Sequence, residues 1–131
     1  MNHRIAQVAL LVRDYDEAIA WFGQALGFVL LEDSDLGAGK RWVRMAPTPD
    51  AAFNLLLAKA ANERQLAAVG NQHGGRVGFF LHTDDFARDH ARLFAARARF
   101  DSEPRQEPYG TVVVFEDLYG NRWDLIGPPC A

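Results

Sequence analysis

The stretch Glu116-Asp117-Leu118-Tyr119-Gly120-Asn121-Arg122-Trp123-Asp124-Leu125-Ile126-Gly127, entered from Thr111-Val112-Val113-Val114-Phe115, decides the fold. The β-branched run reads as a strand, and Asp117 to Asn121 carries Gly and Asn where a chain reverses. Arg122 to Ile126 resumes as a second strand, so the whole is a hairpin. Strand alternation puts Arg122, Asp124 and Ile126 on one face and Trp123 and Leu125 on the other. A carboxylate on that polar face meets either solvent or a cavity.

Upstream of the hairpin, Arg76 to His82 reads as a strand, Asp85 to Ala96 as a helix carrying Phe86, Leu93 and Phe94, and Arg99 to Glu103 as a short strand. This half is β-α-β-β-β. The first half repeats the pattern. Ile5 to Val12 is apolar except for Gln7, which suits a strand covered on both faces. Asp14 and Glu17 form a capping box before Ala18, Trp21, Phe22, Ala25 and Leu26, which fall at helical spacing, and Gly27 stops that helix. Phe28 to Glu32 is a strand, Asp33 to Gly39 a polar loop, and Lys40 to Ala46 a strand alternating Arg41, Val43 and Met45 against Trp42 and Arg44. Pro47-Thr48-Pro49-Asp50 turns the chain into Ala52 to Ala58, a strand with Asn54 as its one polar side chain.

Between the halves, Lys59 to Gly75 shifts to Ala, Asn, Gln, Gly and charges and reads as a linker with a helical turn around Glu63 to Ala68. Superposing Val8-Ala9-Leu10-Leu11-Val12 on Val77-Gly78-Phe79-Phe80-Leu81 sets Gln7 on Arg76. Aligning the last strand of each half sets Asn54 on Asp124. The two offsets agree within one residue, the signature of an internal repeat.

The chain has 131 residues, 49% hydrophobic and 24% charged, one domain's worth with enough apolar content for a core. A formal net charge of −3 leaves no basic stripe for nucleic acid. A single cysteine, Cys130, excludes an internal disulfide framework. The start Met1-Asn2-His3-Arg4-Ile5 lacks the apolar core of a secretory signal, and no apolar run reaches the length of a membrane span. These features predict a cytoplasmic protein whose partners are small molecules or a second copy of itself.

Two groups of residues carry a resemblance: Val12-x-Asp14-x-Asp16-Glu17-Ala18 with Trp21-Phe22 and Leu26-Gly27-Phe28, then Pro108-Tyr109-Gly110 with Phe115-x-Asp117-x-x-Gly120-Asn121-x-x-Asp124-Leu125. With them the chain resembles the vicinal oxygen chelate superfamily, the group of glyoxalase I, extradiol dioxygenases and bleomycin resistance proteins. The resemblance implies an α+β fold of two tandem βαβββ modules, about residues 4–58 and 76–127, in one domain spanning 1–131. It implies that their curved mixed sheets enclose one concave pocket, and that the protein is a homodimer.

In metal-using relatives the ligands are His, Gln and Glu from the first and last strands of each module. Those places fall here on Gln7, Asn54, Arg76 and Asp124. A guanidinium has no lone pair and stays protonated, so Arg76 is no ligand, and the expectation is a site without metal or cofactor. An Arg76 to Asp124 ion pair is expected in its place, with Gln7 and Asn54 bonded to each other. Trp42 and Phe80 are expected pocket walls. The reading is therefore a small-molecule binding protein with a degenerate metal site. The alternative is a metal-dependent or metal-free glyoxalase-like lyase, isomerase or dioxygenase, with Asp124 as base and Arg76 as electrophile. Other polar residues are assigned no role: His3, His73 and His90 are expected in solvent, His82 at the cavity mouth, and Glu103 and Glu107 in a solvated proline-rich loop. The pair Lys40-Arg41 is expected to be surface charge.

Overall fold

The computed structural model describes residues 1–129; Cys130 lies outside the described residues. The chain forms two compact units, one from Met1 to Val69 and one from Gly70 onward. Their boundary falls inside the expected linker, because the segment after residue 58 is structured. The strand that starts at Asn54 runs on to Lys59, and Asn62 caps a short helix by accepting the Gln65 N–H at 2.9 Å.

The first unit contains β1 (Gln7–Val12), α1 (Tyr15–Leu26), β2 (Val29–Gly37), β3 (Lys40–Ala46), β4 (Asn54–Lys59) and α2 (Glu63–Ala68). Its sheet has the order β1-β4-β3-β2, with β1 parallel to β4 and the other neighbours antiparallel. Helix α1 starts as its sequence dictates, with the Asp14 carboxylate accepting the Glu17 N–H at 2.8 Å. It stops at Gly27, whose φ of 69° a side-chain-bearing residue adopts at a cost. The helix buries Ala18, Phe22 and Ala25 and packs against β2, β3 and β4, where Val43, Met45 and Leu57 are buried. Burying a side chain the size of Phe22 contributes roughly 2 to 3 kcal/mol.

The polar segment from Asp33 is not the loop its composition suggests. It continues β2, pairing Asp33 with Val43, Ser34 with Trp42 and Asp35 with Arg41, and the reversal is confined to Ala38 and Gly39. Both turn residues have positive φ, 55° and 80°, the geometry that matches strand twist in a two-residue hairpin. The acidic side chains stay in the strand because Arg41 and Arg44 of β3 answer them: Arg41 bonds both Asp33 oxygens, at 2.6 and 3.0 Å, and Arg44 bonds Glu32 at 2.9 Å.

The second unit repeats the plan with β5 (Val77–His82), α3 (Phe86–Ala95), β6 (Arg99–Phe100), β7 (Arg105–Glu107), β8 (Gly110–Glu116) and β9 (Arg122–Gly127). The order is β5-β9-β8-β6, with β7 also on β8 and β5 parallel to β9. Strand β7 occupies the expected proline-rich loop, and the strand from Arg99 is shorter than expected. Trp123 lies at the centre, with ring centroids 4.4 Å from Phe79 and 5.8 Å from Phe115. His90 is not in solvent: it stacks between Phe86 and Phe100 at 5.6 and 4.7 Å. His73 meets the Phe79 ring edge-on at 5.0 Å.

The β8 to β9 reversal is organised by Asp117, which is buried. One carboxylate oxygen accepts the N–H groups of Tyr119, Gly120 and Asn121 at 3.0 to 3.1 Å. The other accepts from Trp123 Nε1 at 2.9 Å and Asn121 Nδ2 at 3.0 Å. Replacing Asp117 by Ala strands these buried donors, so a loss of about 3 to 5 kcal/mol in unfolding free energy is expected from urea titration. A loss below about 1 kcal/mol would show that the turn holds without its carboxylate.

Candidate functional site

Strands β3 and β4 pair only through Val43–Leu57, Arg44–Leu56 and Met45–Leu55, although β3 begins at Lys40 and β4 runs to Lys59. Past Val43 and Leu57 they splay. The wedge is Tyr15, the first residue of α1, whose buried ring brings its hydroxyl to accept the Arg41 N–H at 3.1 Å. Arg41 seals this wall: its guanidinium bonds Asp33 and Asp16 and sits 5.0 Å from the centroid of the Tyr15 ring. The Asp33 bond and then the Asp16 bond raise the Arg41 pKa further above its ordinary value, and the Arg41 bond holds Asp33 below the usual carboxylate range.

The splay opens a cleft of about 520 Å³. Trp42, Leu56 and Ala58 line it together with Lys40, Lys59 and Gln65. This size lies within the range of small-molecule sites, roughly 300 to 1,000 Å³. Of the residues expected to line a pocket, Trp42 lines this cleft, while Gln7, Asn54, Arg76, Asp124 and Phe80 do not. Lys59, Tyr15 and Gln65 were not expected, and Lys40 and Arg41, expected as surface charge, belong to the lining. Nothing in a linear sequence marks where two paired strands stop pairing before they end.

The four positions carried over by repeat alignment fare differently. Gln7 and Asn54 are register partners across β1 and β4, as expected, but the Asn54 amide donates to the Ala6 carbonyl at 3.5 Å rather than to Gln7. Its Oδ1 is buried without a hydrogen-bond partner. In the second unit the register differs. Phe80, not Arg76, is the cross-strand partner of Asp124, and Arg76 precedes β5 altogether; a bulge between Val77 and Phe79 accounts for one residue of that offset. The bulge is at Gly78, where a β-carbon would fall 2.2 Å from the His73 ring, so only glycine admits that packing.

The expected Arg76 to Asp124 ion pair is therefore absent from the ion pairs of the described residues. The basic side chains that influence Asp124 are Arg105 and Arg122. Arg105 is paired to Glu107 at 2.9 Å, and Arg122 is paired to Asp101. Asp124 lies between Phe80 and Val114, and its Oδ1 is buried and unpartnered. Burial pushes its carboxyl above the ordinary value, against the weaker pull of Arg105 and then Arg122. Phe80, beside it, is 60% exposed.

Among the described residues no three His, Cys, Asp or Glu side chains converge as a metal site would require. The amide oxygens of Gln7 and Asn54 belong to the first unit, the Asp124 carboxylate to the second, and Arg76 supplies no lone pair. This donor set does not fit the His and Glu ligation of the metal-using relatives.

A model of the Glyoxalase/Bleomycin resistance protein/Dioxygenase superfamily matches residues 4–125. The chain belongs to that superfamily. An uncharacterized protein of Shewanella frigidimarina (strain NCIMB 400) is 47% identical over 127 residues, 96% of this chain and 94% of its own. Among solved structures, UcmS2 superposes with a TM-score of 0.81 at 28% identity, covering 96% of this chain and 98% of its own. TnmS3, an antibiotic binding protein from Streptomyces sp. CB03234, does so with a TM-score of 0.77 at 28% identity, covering 97% of each chain. No described helix is long and apolar enough to cross a membrane.

The raised Asp124 pKa has a sign that can be read in solution. A carboxyl whose folded pKa exceeds its unfolded value binds more protons when folded, so its contribution is favourable below the unfolded pKa and is lost as the pH rises through the folded one. Asp124→Asn is expected to raise the urea midpoint at pH 7, with the gain over wild type shrinking as the pH falls through the raised folded pKa to the ordinary aspartate range. A gain independent of pH would mean that Asp124 carries no such penalty.

Proposed function

We propose that this chain is a binding protein for a small, flat organic molecule, held without metal in the cleft beside Trp42. The observation that carries the reading is the cleft itself. Tyr15 takes the Arg41 N–H where β3 and β4 cease to pair, and the cleft there is lined by Leu56, Ala58 and Trp42. Such a site binds by stacking and desolvation and needs no Lewis acid. The donor set at the family's ligand positions supports the absence of metal, since those residues give a divalent ion neither imidazole nor paired carboxylates. The kinship with TnmS3, an antibiotic binding protein, supports binding as the role.

One observation favours a second reading. Asp124, poorly solvated and with a free carboxylate oxygen beside exposed Phe80, has the raised pKa that general-base chemistry uses. This would be a metal-free lyase or isomerase activity in which Arg76 plays no part as cross-strand partner.

Titration with 2-naphthamide, a neutral planar probe, followed by tryptophan fluorescence tests the first reading. Binding is expected to survive dialysis against EDTA and to weaken about tenfold or more in Trp42→Ala, the loss of a stacking face worth roughly 1.4 kcal/mol. Near-stoichiometric retention of nickel, zinc, iron or manganese, lost in Asp124→Ala, would overturn the metal-free reading. Affinity unchanged in Trp42→Ala would remove the cleft from the proposal.

A further inference from the structure

We infer that the cleft of the first unit selects flat aromatic molecules that carry a negative charge at the ring edge, a carboxylate or a comparable acid. This rests on the binding role proposed above and adds the sign of the ligand. The chain as a whole is acidic, with a net charge of −3, yet the cleft is lined by Lys40, Arg41 and Lys59 and by no aspartate or glutamate. A local excess of the minority charge is not the background of the surface.

The three cations are not equivalent. Arg41 is spent on structure, bonded to Asp33 and Asp16. Lys40 and Lys59 have no carboxylate partner among the described residues, and they stand on the two splayed strands, one opening β3 and the other ending β4. Gln65 adds to the pattern. Its amide oxygen is already occupied by the Ala61 N–H at 2.7 Å, which leaves its NH₂ to donate. The rim of the cleft therefore offers ammonium and amide donors around an apolar floor of Leu56 and Ala58 beside Trp42.

A ligand that satisfies both parts has a ring system to stack on the indole and acceptor oxygens with negative charge to meet the two lysines. A cation would gain from the indole face but meet two uncompensated ammonium groups at the rim, so the like charges oppose it. The exposed position of both lysines means that each contributes modestly and that salt weakens the effect.

The test compares 2-naphthoate with 2-naphthamide, matched in shape and different in charge, on the wild-type chain and on the Lys40→Gln/Lys59→Gln double variant, by calorimetry at low ionic strength. Because both lysines are exposed, the variant is expected to keep the wild-type circular dichroism and urea midpoint. Naphthoate is expected to bind wild type about tenfold tighter than naphthamide, two exposed charges acting together. That preference should fall to about twofold or less in the double variant and in about 0.5 M salt. Equal affinities in wild type, or a preference that persists in the double variant, would overturn the charge selectivity and leave the cleft as a neutral binding site. Failure of both probes to bind would overturn the binding role and the inference with it.

Discussion

In each unit the first strand and the last lie side by side and parallel, β1 on β4 and β5 on β9, and everything else follows from that pairing. Parallel neighbours cannot be joined by a tight turn, so the chain between them must leave the sheet and return. It does so through a helix and further strands, two in the first unit and three in the second, that extend the sheet on the far side. In each sheet the first strand stands at the edge and the last lies inside it, between the first strand and its antiparallel neighbour. The polar residues on these strands include Gln7 and Asn54 in one unit and Asp124 in the other.

What such residues do depends on details too small to alter the fold. In the second unit the register of β5 on β9 sets Phe80 rather than Arg76 opposite Asp124, and a carboxylate intended by analogy for an ion pair is left poorly solvated between Phe80 and Val114. In the first unit a tyrosine hydroxyl takes a strand N–H, and two strands that could have zipped to their ends open instead into a cleft. Both changes are local rearrangements of backbone pairing, and each decides which side chains can meet a ligand. The cleft gains its charge in the same way. Arg41 is consumed in bracing the wall, so Lys40 and Lys59 are the cations left at the rim.

The sequence by itself determined the order of the elements, both modules, the capped helix beginning after Asp14 and the reversal at Asp117, because these rest on interactions between residues close along the chain or on periodicities of burial. It failed where an interaction partner lies far away. The acidic segment from Asp33 looked like a loop because its answer, Arg41 and Arg44, stands on the next strand. His90 looked solvated because the ring of Phe100 beside it comes from another element, the strand β6, and only Phe86 is a neighbour on its own helix. The site divides along the same line. The resemblance singled out Gln7 and Asn54, which are register partners on β1 and β4, but not the bond that Asn54 makes to the Ala6 carbonyl. The separation of Arg76 from Asp124, and a cleft built from Tyr15, Trp42 and Lys59, were decided only by the tertiary structure. Strand register and the point where two strands part are settled by side-chain packing across the sheet, a quantity that no single strand encodes.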